Sequence, residues 1–208
     1  MVRLLKYFVV AFLLLMQVGK SHEQSEDLLG RLYEQFSSCC MVLDYSYVTR
    51  MSGVKVAGDG LLHVQDGMWR NEGNGVEIWC DGNTVWTVDP VSEEVIIEPV
   101  SEEEGSLVNP ALLFVKMNDH FNLSKYLNAP DGKSVILVLE PKSDVGIEYF
   151  NVEIDASDVS IHGASFALES GDEVKIKVLS MKGEEKKPAT YFRPSQTFDS
   201  SWIVTDLR

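Results

Sequence analysis

The chain of 208 residues is poor in cysteine, in proline and in positive charge: it has 3 Cys, 7 Pro, and 18 Lys plus Arg against 32 Asp plus Glu. Each scarcity excludes something. Three cysteines, with no CxxC pair and no Cys–His spacing suited to zinc, exclude a disulfide-rich scaffold and a zinc module. A formal charge of −14 repels phosphate backbones and anionic headgroups, which argues against nucleic-acid binding. Catalytic signatures are missing as well. There is no HExxH, P-loop, EF-hand loop or GxGxxG. Gly163–Ser165 begins a GxSxG elbow, but Ala167 stands where its last glycine belongs, and the segment reads as a strand. His22, His63, His120 and His162 are far apart and read as surface or sheet-face residues, and Glu102–Glu104 reads as a solvated loop. No catalytic residue, metal site or cofactor is expected.

What is present is ordinary globular composition, 45% hydrophobic and 24% charged, in a length that suits one domain. The first residues stand apart from it. Met1–Lys6 carries Arg3 and Lys6 and no acid, Tyr7–Val18 is apolar except for Gln17, and Gly19 and Ser21 follow. A basic head, an apolar middle and a small-residue end make a secretory signal peptide. As a helix the apolar run would be about 18 Å long, against roughly 30 Å of bilayer hydrocarbon, so it is too short for a membrane anchor. Cleavage is expected near Ser21, leaving 22–208 as a single domain. Losing Arg3, Lys6 and Lys20 moves the net charge from −14 to −17. Export to an oxidising compartment would permit one bridge, from Cys80 to Cys39 or Cys40. The alternative is three buried, unpaired cysteines acting as small apolar residues.

In the remainder, Ser25–Cys40 reads as an amphipathic helix with Ser25 as cap and Leu28, Leu29, Leu32 and Phe36 on one face. Alternation then takes over, in about ten short strands from Met41 to Thr205. Asp66-Gly67, Asn74-Gly75 and Asp81-Gly82 punctuate them, as tight antiparallel turns require. Ser101–Ser106 is an acidic loop. Asn109-Pro110 opens a short, very apolar second helix, Ala111–Met117. The pattern predicts a large antiparallel sheet covered on one face only, curled into a trough. Two small helices fill such a trough loosely, so a hydrophobic cavity is expected beneath them. The candidate lining is Leu32 and Phe36 on the first helix, Met68 and Trp86 on the sheet, and Leu113 and Phe114 on the second helix.

Cys80–Val95 (CDGNTVWTVDPVSEEV) carries Asp81, Gly82, Trp86, Asp89 and Pro90 in an order that resembles the bacterial outer-membrane lipoprotein carrier family, LolA, and the wider fold that includes LolB. Leu28–Phe36, Gly60–Val64, Met68–Arg70, Asn109–Phe114 and the closing Thr205–Arg208 continue the resemblance in order. It implies a mainly β fold, a curved, incomplete antiparallel half-barrel with helices across its concave mouth. It also implies a periplasmic, monomeric carrier without stable membrane insertion. Such a carrier takes acylated lipoproteins or a similar lipid from an inner-membrane release complex to an outer-membrane receptor. One departure stands out: where the proteobacterial carriers have an Arg-Pro that helps latch the lid, this chain has Asp66-Gly67. A lipid-sensing regulator on the same fold is the second reading, and a secreted enzyme the third. Mass spectrometry of the exported protein should find its first residue within a few positions of His22, and an intact Met1 would refute the signal peptide.

Overall fold

The computed structural model describes residues 27–51, 53–100, 120–142, 146–168 and 171–208. A helix over 27–38 precedes a single sheet of twelve strands. The strands are β1 (Cys40–Met51), β2 (Val54–Gln65), β3 (Met68–Gly73), β4 (Val76–Cys80), β5 (Thr84–Asp89) and β6 (Glu94–Pro99), then β7 (Phe121–Asn128), β8 (Ser134–Pro141), β9 (Ile147–Asp155), β10 (Ile161–Leu168), β11 (Glu173–Glu184) and β12 (Ile203–Asp206). Their order is β12-β6-β5-β4-β3-β2-β1-β11-β10-β9-β8-β7. The sheet is open and curved rather than a closed barrel. It consists of two meanders, β1–β6 and β7–β11, joined where β1 pairs antiparallel with β11. All neighbours are antiparallel except β12, which lies parallel to β6 at the edge.

Local chemistry explains the path. The β2–β3 and β3–β4 loops have two residues each, Asp66-Gly67 and Asn74-Gly75, with φ of 50°, 77°, 53° and 80°. Both central residues are left-handed, as the tight hairpin turn whose twist matches the strands demands. Asp81, Asp89 and Asp131 close longer turns by accepting backbone N–H groups two and three residues ahead. These bonds favour the ionised form and hold all three carboxyls below the usual range, that of Asp131 at about 2.

Strand alternation sorts the side chains into an inner and an outer face. The inner face carries the main core, including Leu43, Leu62, Val64, Trp69, Leu137, Leu139, Phe150, Val152, Phe166 and Ile176. The helix presents Leu28 and Leu32 to it, both buried, with Leu29 and Phe36 half-buried beside them. Tyr45 and Tyr47 lie across the glycines opposite them, Gly60 and Gly58. Tyr45 Oη donates to Asn71 Oδ1 at 3.0 Å, and Asn74 Nδ2 donates to Tyr47 Oη at 2.7 Å. Burial pushes the Tyr45 phenol up to about 12.

Four sequence expectations change. The helix ends earlier, and Cys40 already belongs to β1. The strand read as Gly60–Val64 is twelve residues long, and Phe121–Asn128 adds a strand. The sheet is covered on part of its outer face too, by the C-terminal segment. No disulfide joins Cys39, Cys40 and Cys80, of which the last two are buried, so of the two alternatives for the cysteines the bridge is the one not formed. Ala111–Met117 lies outside the described residues.

A Cβ at Gly60 would sit 2.6 Å from Tyr45 Oη. Gly60→Val should therefore destabilise the fold by about 1–3 kcal/mol in urea unfolding, the range typical of overpacking.

Candidate functional site

The inner face carries the larger of the two buried apolar clusters among the described residues, and a single described helix lies on it. That helix is seated by apolar contacts through Leu28, Leu29, Leu32, Tyr33 and Phe36. Polar anchoring includes the bond from Gln35 Nε2 to the carbonyl of Asp158 at 2.9 Å. At the C-terminal end of the helix a gap of about 270 Å³ remains between helix and sheet, lined by Gln35, Ser38, Cys39, Met41, Asp158, Ser160, Met181 and Gly183. Cys39 Sγ donates to the carbonyl of Gln35 at 3.2 Å, and burial raises the pKa of the neighbouring Cys40 thiol.

The predicted lining residues do not all meet. Leu32 is fully buried in the core and Phe36 packs half-buried at its margin, both on the inner face. Met68 and Trp86 project to the outer face. In β3 Trp69 enters the inner core, so Met68 points away from it. In β5 Val85 points inward, and Trp86 joins Trp79, Val88, Val95 and Ile97 in a separate outer cluster. Leu113 and Phe114 lie outside the described residues. The structure thus unites Leu32 and Phe36 and separates Met68 and Trp86 from them.

The outer cluster exists because the C-terminal segment crosses the outside of β2–β6. Gln65 exchanges hydrogen bonds with Lys187, donating to its carbonyl at 3.0 Å and accepting its N–H at 2.7 Å. Lys186 grips both oxygens of Asp66 at 2.9 Å, so the acid that stands at the expected latch position is tied to this strap. A short 3-10 helix, Ala189–Phe192, buries Phe192 completely. Arg193 bonds Asp81 through Nε at 2.8 Å and Nη2 at 2.7 Å. Phe198 and Trp202 meet edge to face at 5.0 Å over the outer cluster. Arg70 pairs with Glu72 and places its guanidinium 4.0 Å from the Trp79 ring centroid, with Tyr191 at 5.4 Å. Sequence reasoning missed this layer, although Tyr191, Phe192, Phe198 and Trp202 form an aromatic series in an otherwise polar tail.

One polar cluster resembles a catalytic arrangement. Ser134 Oγ lies 2.7 Å from Asp131 Oδ2 and 3.1 Å from His162 Nδ1. The serine stands between acid and imidazole, and its proton is directed at the carboxylate. A hydrolytic triad requires the imidazole in the middle to take that proton. Ser134 is also buried, so the group closes a turn. Among the described residues no group of three or more His, Cys, Asp or Glu could hold a metal ion, and no helix is long and apolar enough to cross a membrane.

An open, curved sheet with a helix on its apolar inner face is the architecture of LolA-like half-barrels. The chain belongs to the outer membrane lipoprotein carrier LolA family, whose profile matches residues 71–195. Among solved structures, an uncharacterized conserved protein from Thermus thermophilus superposes with a TM-score of 0.53 at 13% identity, covering 88% of this chain and 98% of that one. A DUF1329 family protein from Desulfovibrio piger gives 0.50 at 12% identity, covering 81% and 95%. A LolA superfamily protein from Nitrosomonas europaea gives 0.49 at 12% identity, covering 81% and 97%. At such identities the likeness concerns the fold alone. No curated protein matches the chain.

The strap confers a pH dependence. His63 is buried beneath it, its Nδ1 3.3 Å from Tyr191 Oη. Burial first, then the Arg70 charge, lowers its pKa, and Lys187 adds to this while Glu184 and Glu72 oppose it. The folded state therefore binds its proton less readily than the unfolded chain does. Stability is retained above the unfolded value near 6.5 and is lost as pH falls from there toward the lower folded value. Between pH 7.5 and 5 the wild type should lose more thermal stability than His63→Gln, and equal losses would exclude His63 as the cause.

Proposed function

We propose that this protein is a periplasmic carrier that shelters the acyl chains of lipoproteins or a similar lipid against its inner face, then releases them toward the outer membrane. The observation that carries the reading is the way the inner face is covered. An extensive aliphatic and aromatic surface lies under a helix seated by apolar contacts. Such contacts are non-directional, so an acyl chain can replace them with little loss. Each methylene sheltered contributes about 0.8 kcal/mol, enough to hold cargo without a polar clamp that would hinder release.

Family membership supports the same reading, and so does the proposed export signal. Leu32 and Phe36 are the described residues we assign to the cargo surface, with Leu113 and Phe114 as further candidates. Met68 and Trp86 lie on the outer face instead, where Trp86 packs in the outer cluster. No covalent chemistry is required, so the protein is read as a carrier and not an enzyme. Cargo would come from an inner-membrane complex and pass to an outer-membrane acceptor.

Native mass spectrometry of freshly purified protein should reveal co-purified lipid. A fluorescent fatty acid should bind saturably, and Phe36→Asp should weaken it at least about tenfold, the equivalent of 1.4 kcal/mol, with circular dichroism unchanged. Wild-type protein that binds no apolar ligand would refute the carrier.

A further inference from the structure

The ribbon formed by β1 and β2 is longer than the sheet that holds it. The two strands pair from Met41↔Val64 to Met51↔Val54. On one side β3 pairs with β2 only along Leu61–Gln65, and on the other β11 leaves β1 at Thr49. The end of the ribbon therefore projects past both neighbours, and residues 53–57 are all exposed. Two valines stay in solvent there, Val54 at 65% exposed and Val56 at 40%, and Val48, at 39%, lies close by where β1 still pairs with β11. Singly such residues mean nothing, but three grouped at one end of the sheet need a reason.

The charge is equally uneven. In a chain of formal charge −14, no acidic residue occurs between Tyr45 and Gly58, and both charged residues there, Arg50 and Lys55, are cationic. They face each other across the ribbon. By alternation they share the outer face with Val48 and with Lys175, which sits beside Val48 on β11. Lys175 is held by Glu173 at 3.1 Å. Neither Arg50 nor Lys55 has a carboxylate within ion-pair distance among the described residues. Together with Gly53, Gly171 and Asp172 these residues border a cleft of about 400 Å³. Val54 and Val56 occupy the opposite face, the one that continues into the apolar interior.

We propose that the projecting end of the β1–β2 ribbon docks the protein on an anionic bilayer surface. Arg50, Lys55 and Lys175 meet the lipid phosphates, while Val54 and Val56 enter the interfacial layer. Cations flanking exposed aliphatic side chains are the composition that partitions to such interfaces. Asp172 and Glu173 border the same cleft, so the cations exceed the acids there only narrowly, and with the rest of the acidic chain repelled by the same surface the contact is confined to this end and brief. Docking in this orientation brings the apolar face of the ribbon to the bilayer first. The inference goes beyond the carrier reading and does not require cargo.

The test is flotation of the purified exported protein with phosphatidylglycerol–phosphatidylcholine vesicles and with pure phosphatidylcholine vesicles. Wild type should float with the anionic vesicles, less with the neutral ones, and be released by high salt. Lys55→Glu should lower the bound fraction at least about fivefold, and Val54→Asp should lower it too, with thermal melts unchanged. Lys133→Glu, on a turn elsewhere, should not. If a charge reversal disturbs folding, Arg50→Gln combined with Lys55→Gln tests the same contacts. Wild type that floats with neither vesicle, or the Gln pair floating as wild type does, would overturn the proposal.

Discussion

An open sheet has two faces, and each must be covered by something or left fit for water. Most of this architecture answers that constraint. On the inner face, strand after strand contributes Leu, Val, Ile and Phe, and the helix over 27–38 supplies part of the cover. On the outer face two solutions coexist. Around β11 the face is made hydrophilic by Lys175 and Lys177. Over β2–β6 it stays aromatic, with Trp79 and Trp86, and the C-terminal strap lies on it. The strap is secured by directional bonds, such as Lys186 to Asp66 and Arg193 to Asp81. The helix is secured mainly by apolar contact. Oriented bonds fix the strap in one geometry, whereas non-directional apolar contact fixes the helix less narrowly.

The same division separates what the sequence shows from what it conceals. The helix is legible because Leu28, Leu32 and Phe36 recur at helical spacing, and the hairpins because Asp66-Gly67 and Asn74-Gly75 suit left-handed backbone. The start of β2, Val54–Ala57, is not legible as a strand, since it is exposed on both faces and has no buried side to reveal its period. In β7 an irregularity between Leu123 and Lys125 breaks the alternation that would have marked it. The strap has no periodicity at all: its anchors Tyr191, Phe192 and Phe198 follow Pro188, are interrupted by Pro194, and recognise a surface that exists only once the sheet has formed.

Met68 and Trp86 show a different limit. Their aromatic or flexible apolar character marks them as buried, yet a strand buries residues on either side, and shifting by one position exchanges the sides. Trp69 and Val85, their neighbours, face inward instead. Composition tells that a residue packs, and register decides what it packs against. That is why half of the described candidate lining, Leu32 and Phe36, falls on the inner face and the other half, Met68 and Trp86, on the outer one.

The junction of β1 with β11 has a kinetic consequence. β1 sits in the middle of the sheet, but one of its two neighbours arrives near the end of the chain. β12, which closes the far edge onto β6, comes later still. The two meanders can each form from local hairpins, whereas the seam that unites them waits for almost the whole polypeptide. Pairings of such wide sequence separation make folding slow. A chain built this way carries two partly formed half-sheets until its last strands appear and join them into one.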